Sequence, residues 1–338
     1  MPSTAPETPA EGPVIPVVAA IIRHPQHPRR ILVSRRRKGQ HLEDLWEFPG
    51  GKQELGESRF HALSRELEEE LGIRHLVARP FFRLLHDYPD RRIRLDVWEL
   101  RSFRGEPESR EGQAWRWVEL DELTGNKSEY AFPEADRPVL QALGLPPALL
   151  ITPEPGPGLH RDFTEQLDRQ LARWRFGAVL LRAHGLADDR YAELALRCRV
   201  ICERHGAELI VHRPTLEGLS SPRLQPFRNR HLSAAALAAL EERPFDETLR
   251  LSASTHDRFE VEKAERLGCR FALLSPVRKT LSHPGRPALG WAGFREISDA
   301  SRLPLYALGG VMMRDFAVAR EQAAIGVAGI SDFWSSGS

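Results

Sequence analysis

Residues 14–35, VIPVVAAIIRHPQHPRRILVSR, place two apolar runs around a Pro- and His-rich interruption, a pattern that predicts two strands joined by a turn. In HDYPDRRIRLDVWEL the apolar residues Ile93, Leu95 and Val97 recur at every second position, which predicts a strand with one buried face. Between these segments the period changes. Phe60, Leu63, Leu67 and Leu71 fall three and four apart, the spacing of a helix with one face against a sheet. Ser58 supplies its N-cap and Gly72 its C-terminal stop. Pro146 and Pro147 end a later helical stretch and mark a boundary near 143–148. Beyond it, ALLITP, GAVLLRAH, AELIVHRP, LRLSAST, FALLSPV and LPLYALGGV read as short buried strands. FTEQLDRQLARWR, DDRYAELALRCRVICERHG, VEKAERLG and GWAGFREIS read as helices among them. Apolar runs alternating with helices predict a parallel sheet of βα units, six or seven of them in compressed form.

At 338 residues the chain is about twice the usual single-domain size, which agrees with that boundary. Its 48 basic and 47 acidic residues nearly cancel, so neither a nucleic-acid polymer nor an anionic membrane is expected as a partner. No apolar run is long enough to span a bilayer. Residues 1–13 lack an apolar core and read as a disordered tail, not a signal peptide. Cys198, Cys202 and Cys269 are too few and too scattered for a disulfide framework. Together these features predict a soluble protein of the reducing cytoplasm.

Chemistry concentrates at residues 50–73. Behind Gly50 and Gly51 stand Glu57, Glu66, Glu68, Glu69 and Glu70, with Arg65 directly before the acidic run. Glu66, Glu69 and Glu70 are spaced i, i+3 and i+4, so their carboxylates share one helix face. Like charges crowded there repel unless a cation joins them, and Mg2+ takes carboxylate oxygens while bridging to phosphates. A solvated acidic helix would leave the double glycine, the isolated Glu57 and Arg65 without a role.

The segment resembles the Nudix box, G-x5-E-x7-R-E-U-x-E-E-x-G-U. Gly51, Glu57, Arg65, Glu66, Leu67, Glu69, Glu70, Gly72 and Ile73 fill all nine fixed positions over twenty-three residues. Flanking segments, LWEFPGGK and AFPEADRPVLQAL among them, are similar to MutT-type 8-oxo-dGTP diphosphatases. The resemblance implies an α/β fold over 14–145, a Nudix α/β/α sandwich with a mixed sheet. It implies Mg2+-dependent hydrolysis (Mn2+ as a substitute) of a nucleoside triphosphate to monophosphate and pyrophosphate. By carry-over, Glu66, Glu69, Glu70 and Arg65 are catalytic, and Gly50, Glu57, Glu66, Glu69, Glu70 and Glu111 hold or support metal. Glu66 is the candidate general base, and Arg65 orients the glutamates. Arg36, His41, Phe48 and Asp136 fall at substrate positions. Arg36 equally reads as part of a solvated basic edge, Arg35 to Lys38, and Phe48 as sheet core. The related proteins usually carry Asn where this chain has Asp136, which donates to a purine edge only when protonated.

Residues 148–335 resemble thiamine phosphate synthases and TenI-like proteins, most closely over SASTHDRFEVEKAERLGCRFALLSPVRKTLSHPGRPALGWAGFREISDASRLPLYALGGV. A TIM (β/α) barrel is implied, with Arg182, His256, Lys279, Gly309 and Gly310 as candidates for holding a thiamine-related phosphate. Synthases have Arg-Glu-Lys after the second strand and Asn-Asp after the third. Here stand Arg182-Ala183-His184 and His212-Arg213, so a metal-binding carboxylate is replaced by a cation. A catalytically degenerate barrel is therefore expected. Two functions follow: nucleotide-pool sanitation relevant to DNA repair, or a bifunctional or regulatory role in thiamine metabolism.

Overall fold

The computed structural model describes residues 13–39, 41–125, 128–156, 160–280 and 287–334. The tail expected at 1–13 lies outside these residues up to position 12. The chain divides into two compact units, Met1–Gly144 and Leu145–Ser338.

In the first unit, β1 (Val14–Ile21), β2 (Arg30–Arg35), β3 (Trp46–Glu47) and β4 (Gly50–Lys52) precede α1 (Arg59–Leu71). They are followed by β5 (Arg74–Asp87), β6 (Arg92–Arg104), β7 (Trp115–Glu119), α2 (Leu120–Thr124) and α3 (Arg137–Leu143). One sheet runs β4-β1-β6-β5 and a second β3-β2-β7. The first is mixed: β1 is parallel to β6 and antiparallel to β4. Helix α1 forms as its pattern predicts. Ser58 Oγ accepts from the backbone N–H of His61 at 3.2 Å, and Gly72 closes the helix at φ +70°. Leu63, Leu67 and Leu71 are fully buried with Val18, Ala20, Ile22 and Leu32. That packing fixes the opposite, acidic face of α1 over β4.

The second unit is a closed barrel of eight parallel strands. They are β8 (Ala148–Ile151), β9 (Ala178–Arg182), β10 (Glu208–His212), β11 (Asn229–Leu232), β12 (Arg250–Thr255), β13 (Cys269–Leu274), β14 (Leu305–Ala307) and β15 (Gly326–Gly329). Helices lie between them: α4 (His160–Trp174), α5 (Asp188–Arg204), α6 (Leu216–Leu219), α7 (Ala234–Ala238), α8 (Arg258–Arg266), α9 (Gly290–Asp299) and α10 (Phe316–Glu321), with α11 (Ser331–Trp334) after the last strand.

The sequence pattern yields six strands, and β11 and β15 escape it for physical reasons. In β11, Arg230 and His231 are buried polar residues. The guanidinium of Arg230 donates to the carbonyls of Leu219 and Leu224, and the His231 ring pairs with Ser252 and Ser254. The Nη atoms of Arg230 and the His231 ring thus find partners on neighbouring segments, so no apolar run announces the strand. In β15 a glycine stands at each end of GVAG, a composition poor in strand formers.

Candidate active site

Gly50 and Gly51 bring β4 directly beneath the acidic face of α1. A Cβ on Gly51 would lie 2.3 Å from the Glu66 carboxyl group, so a side chain there would push that carboxylate out of its place. The backbone N–H of Gly50 donates to Glu70 Oε2 at 3.2 Å. Arg65 is the hub of the site. Its Nε and Nη2 bond the two oxygens of Glu57, each at 3.1 Å, while Nη1 reaches Glu66 Oε1 at 2.9 Å and Glu69 Oε2 at 3.2 Å. Nη2 also donates to the Lys52 carbonyl at 3.0 Å, tying the helix to β4.

Electrostatics divide the glutamates. Hydrogen bonding from Arg65 holds the Glu57 carboxyl below its ordinary range. Burial raises Glu66, partly offset by Arg65. Burial, then repulsion from Glu47 and Glu66, pushes Glu70 up to about 8. Glu111 adds to the repulsion on both Glu66 and Glu70, so it faces their cluster, although Arg37 Nη2 binds its Oε2 at 2.8 Å. Among the described residues no three His, Cys, Asp or Glu side chains are arranged to hold a metal ion as they stand. The donor set nevertheless fits a hard divalent cation: Glu66, Glu69, Glu70 and Glu111 offer only oxygens, and repulsion among them is what a bound cation relieves. Glu57 anchors Arg65 through both of its oxygens, a supporting position behind the other carboxylates.

The substrate positions diverge. Arg36 donates to Glu47 Oε2 at 2.7 Å, and Arg35 and Arg37 pair with Asp44 and Glu111, so the basic run is not a free solvated edge. The exposed His41 ring lies 5.5 Å from Tyr88, edge to face. Phe48 is 3% exposed and packs on Phe132 at 5.4 Å, so the structure favours core over a base platform. Asp136 is buried ahead of α3. Burial, with repulsion from Glu47, pushes its carboxyl up to about 7 despite Arg36.

Sequence reading missed Glu47, itself raised to about 7 by burial against the pull of Arg36. Its position between Trp46 and Phe48, a lone charge between aromatics in a strand, was the available signal. Its charge repels those of both Glu70 and Asp136, so it stands between the acidic cluster and Asp136.

In the barrel, Arg182, His256, Lys279, Gly309 and Gly310 all line one cavity of about 410 Å³. Gly309 and Gly310 turn at φ +91° and +65°, a conformation suited to glycine, and a Cβ on Gly309 would lie 2.7 Å from Pro276. His256 is oriented by Glu260, whose Oε2 lies 2.9 Å from Nδ1 and accepts from the backbone N–H at 2.7 Å. Arg213 is not among the cavity's lining residues. Its guanidinium donates to the carbonyls of Ala183 and Leu186 and to Asp188, and lies over Tyr191. The expected cation against a metal site is therefore a clamp on the loop after β9. His184 and His212, at 4.6 Å between centroids, both lie below the ordinary histidine value through burial.

A glutamate cluster ordered by one arginine over a double glycine, on a mixed sheet, defines a hydrolase of phosphorus-containing anhydrides, and the chain joins it to a (β/α) barrel. The chain belongs to two families: residues 18–142 match the NUDIX domain and residues 148–333 match thiamine monophosphate synthase. It is 37% identical over 127 residues to the 8-oxo-dGTP diphosphatase of Escherichia coli (strain K12), covering 38% of this chain and 94% of that protein. A CTP pyrophosphohydrolase of the same organism is also 37% identical, over 129 residues, covering 38% of this chain and 90% of the relative. A thiamine phosphate pyrophosphorylase structure from Pyrococcus furiosus aligns with a TM-score of 0.44 at 17% identity, covering 56% of this chain and 88% of that one. No helix among the described residues is long and apolar enough to cross a membrane.

Proposed function

We propose that the first unit, 14–145, hydrolyses purine nucleoside triphosphates, 8-oxo-dGTP foremost, to monophosphate and pyrophosphate, and so cleans the nucleotide pool. The observation that carries this reading is the Arg65 hub, which holds Glu66 and Glu69 while Glu66 rests on Gly51. Mg2+, with Mn2+ as a substitute, would be held by Glu66, Glu69, Glu70, Glu111 and the Gly50 carbonyl. When bound it would neutralise phosphate charge and lower the pKa of water. The reaction bonds a water oxygen to phosphorus, breaks one P–O anhydride bond, and passes the water proton to a carboxylate. Glu66 is the candidate acceptor, oriented by Arg65. A protonated Asp136 offers one donor and one acceptor, which matches the O6 and N7–H edge of an oxidised guanine. When ionised it only accepts, which matches the exocyclic amine of cytosine or adenine.

The test is hydrolysis of 8-oxo-dGTP, dGTP, dATP, CTP and thiamine pyrophosphate with Mg2+, using Glu69→Gln as control. A large kcat/KM preference for 8-oxo-dGTP, lost in the control, is expected. Equal slow rates on every nucleotide, or preference for CTP or thiamine pyrophosphate, would overturn the assignment.

The barrel cavity favours a second, accompanying role, binding of a thiamine-related phosphate by 148–335 without synthase activity. Arg182, Lys279 and the Gly309–Gly310 turn support it. A thiazole phosphate should raise the melting temperature of the intact chain, and Lys279→Ala should abolish the rise.

A further inference from the structure

The first unit carries a second cavity, lined by none of the catalytic or substrate candidates. It encloses about 820 Å³, within the roughly 300–1,000 Å³ of small-molecule sites. Its floor is Trp115 and Trp117, two residues apart on β7 and so on one face of the strand. Their rings meet edge to face at 6.3 Å, and with Phe103 they rest on the core beneath α1. One lip is the connection from β1 to β2. There His24 Nδ1 accepts from the backbone N–H groups of Gln26 and His27, at 3.1 and 3.2 Å. Those bonds fix the imidazole edge-on to Trp117 at 4.9 Å. Core packing accounts for the covered sides of these rings and leaves their other sides lining a void.

The cavity is also cationic. Arg23 binds Glu99 at 2.9 Å, and Glu99 is shared with Arg79, so two guanidinium groups divide one carboxylate. The exposed Arg101 has no hydrogen bond or ion pair among the described residues. Glu106 is the only carboxylate in the described lining. Arg23 also donates to the Pro28 carbonyl at 3.0 Å, which leaves Arg101 as the uncommitted guanidinium of the lining. Flat π surface beside such a group is how proteins hold a base and its phosphate together.

We propose that this cavity is a second nucleotide site, separate from the hydrolytic carboxylates, with the base on Trp115, Trp117 and His24 and the phosphate on Arg101 and Arg23. The test uses the intact chain carrying Glu69→Gln, titrated with dGMP by calorimetry. The expected result includes one binding event that Arg101→Glu weakens at least tenfold and Trp117→Ala removes. Arg101 is exposed, so its replacement leaves the fold intact even where Trp117→Ala does not. Introduced into the otherwise unaltered chain, Arg101→Glu should leave kcat/KM for hydrolysis unchanged. Identical dGMP isotherms with and without Arg101→Glu would overturn the proposal. So would deoxyguanosine binding there as tightly as dGMP, or loss of hydrolysis in the Arg101 variant.

Discussion

At the scale of single residues, the active site is a set of contacts that leave no slack. Gly51→Ala would drive a methyl group into the Glu66 carboxyl group, which a Cβ would meet at 2.3 Å. The expected outcome is a folded protein whose kcat falls about 100-fold, the scale of a catalytic group displaced by about an ångström. Circular dichroism with steady-state kinetics checks it. Arg65→Lys keeps the charge but loses the fork that spans Glu57, Glu66 and Glu69, so kcat should fall at least tenfold with little change in KM.

Asp136 makes a pH-dependent prediction. Its folded value of about 7 lies above the ordinary 3.8, because burial and Glu47 disfavour the ionised form while Arg36 offsets them in part. Its contribution to stability is therefore complete below about 3.8 and is lost as pH rises to about 7. Asp136→Asn should be the more stable protein at pH 8, measured by urea denaturation, and should converge with the parent near pH 4. For catalysis, KM for an oxidised guanine nucleotide should rise above about pH 7 in the parent and stay flat in Asp136→Asn. Parallel pH profiles would show that Asp136 does not read the base.

At the scale of elements, α1 is the part most legible in the sequence. Its cap, its stop, its apolar stripe and its acidic face were all visible, because each is a local property of residues three or four apart. What sequence hid was set by distant partners. The polar strand β11 is held by Ser252 and Ser254 from the neighbouring strand. Arg213 reads as an intruder at a metal site, yet its partners are Ala183, Leu186 and Asp188. Phe48 and Glu47 are adjacent in sequence, but only the fold sends one into the core and the other toward Arg36. Because α1 is both a core element and the carrier of the carboxylates, stability and activity are separable on it. Leu67→Ala, at a fully buried position, should cost about 2–5 kcal/mol, while Ser58→Ala should cost about 0.5–2 kcal/mol through the lost cap. Neither touches a carboxylate, so kcat of the folded fraction should survive. Loss of kcat in proportion to stability would mean that the helix position, not its acidic side chains, limits the reaction.

At the scale of the whole molecule, each unit buries its own core, one centred on α1 and the other on the barrel strands. Ligands should therefore act on stability one unit at a time. A divalent cation held by the carboxylates of the first unit, as proposed, would bind its folded form alone and stabilise it by about 2.7 kcal/mol at one hundred times Kd. In calorimetric scans of the intact chain, Mg2+ should raise one transition and leave the other in place. Glu69→Gln should shrink that rise. A phosphate ligand of the barrel should move only the second transition, and Lys279→Ala should abolish its effect. If Mg2+ instead raised both transitions together, the two units would unfold as one. Their ligands would then be thermodynamically linked, each strengthening the hold of the other.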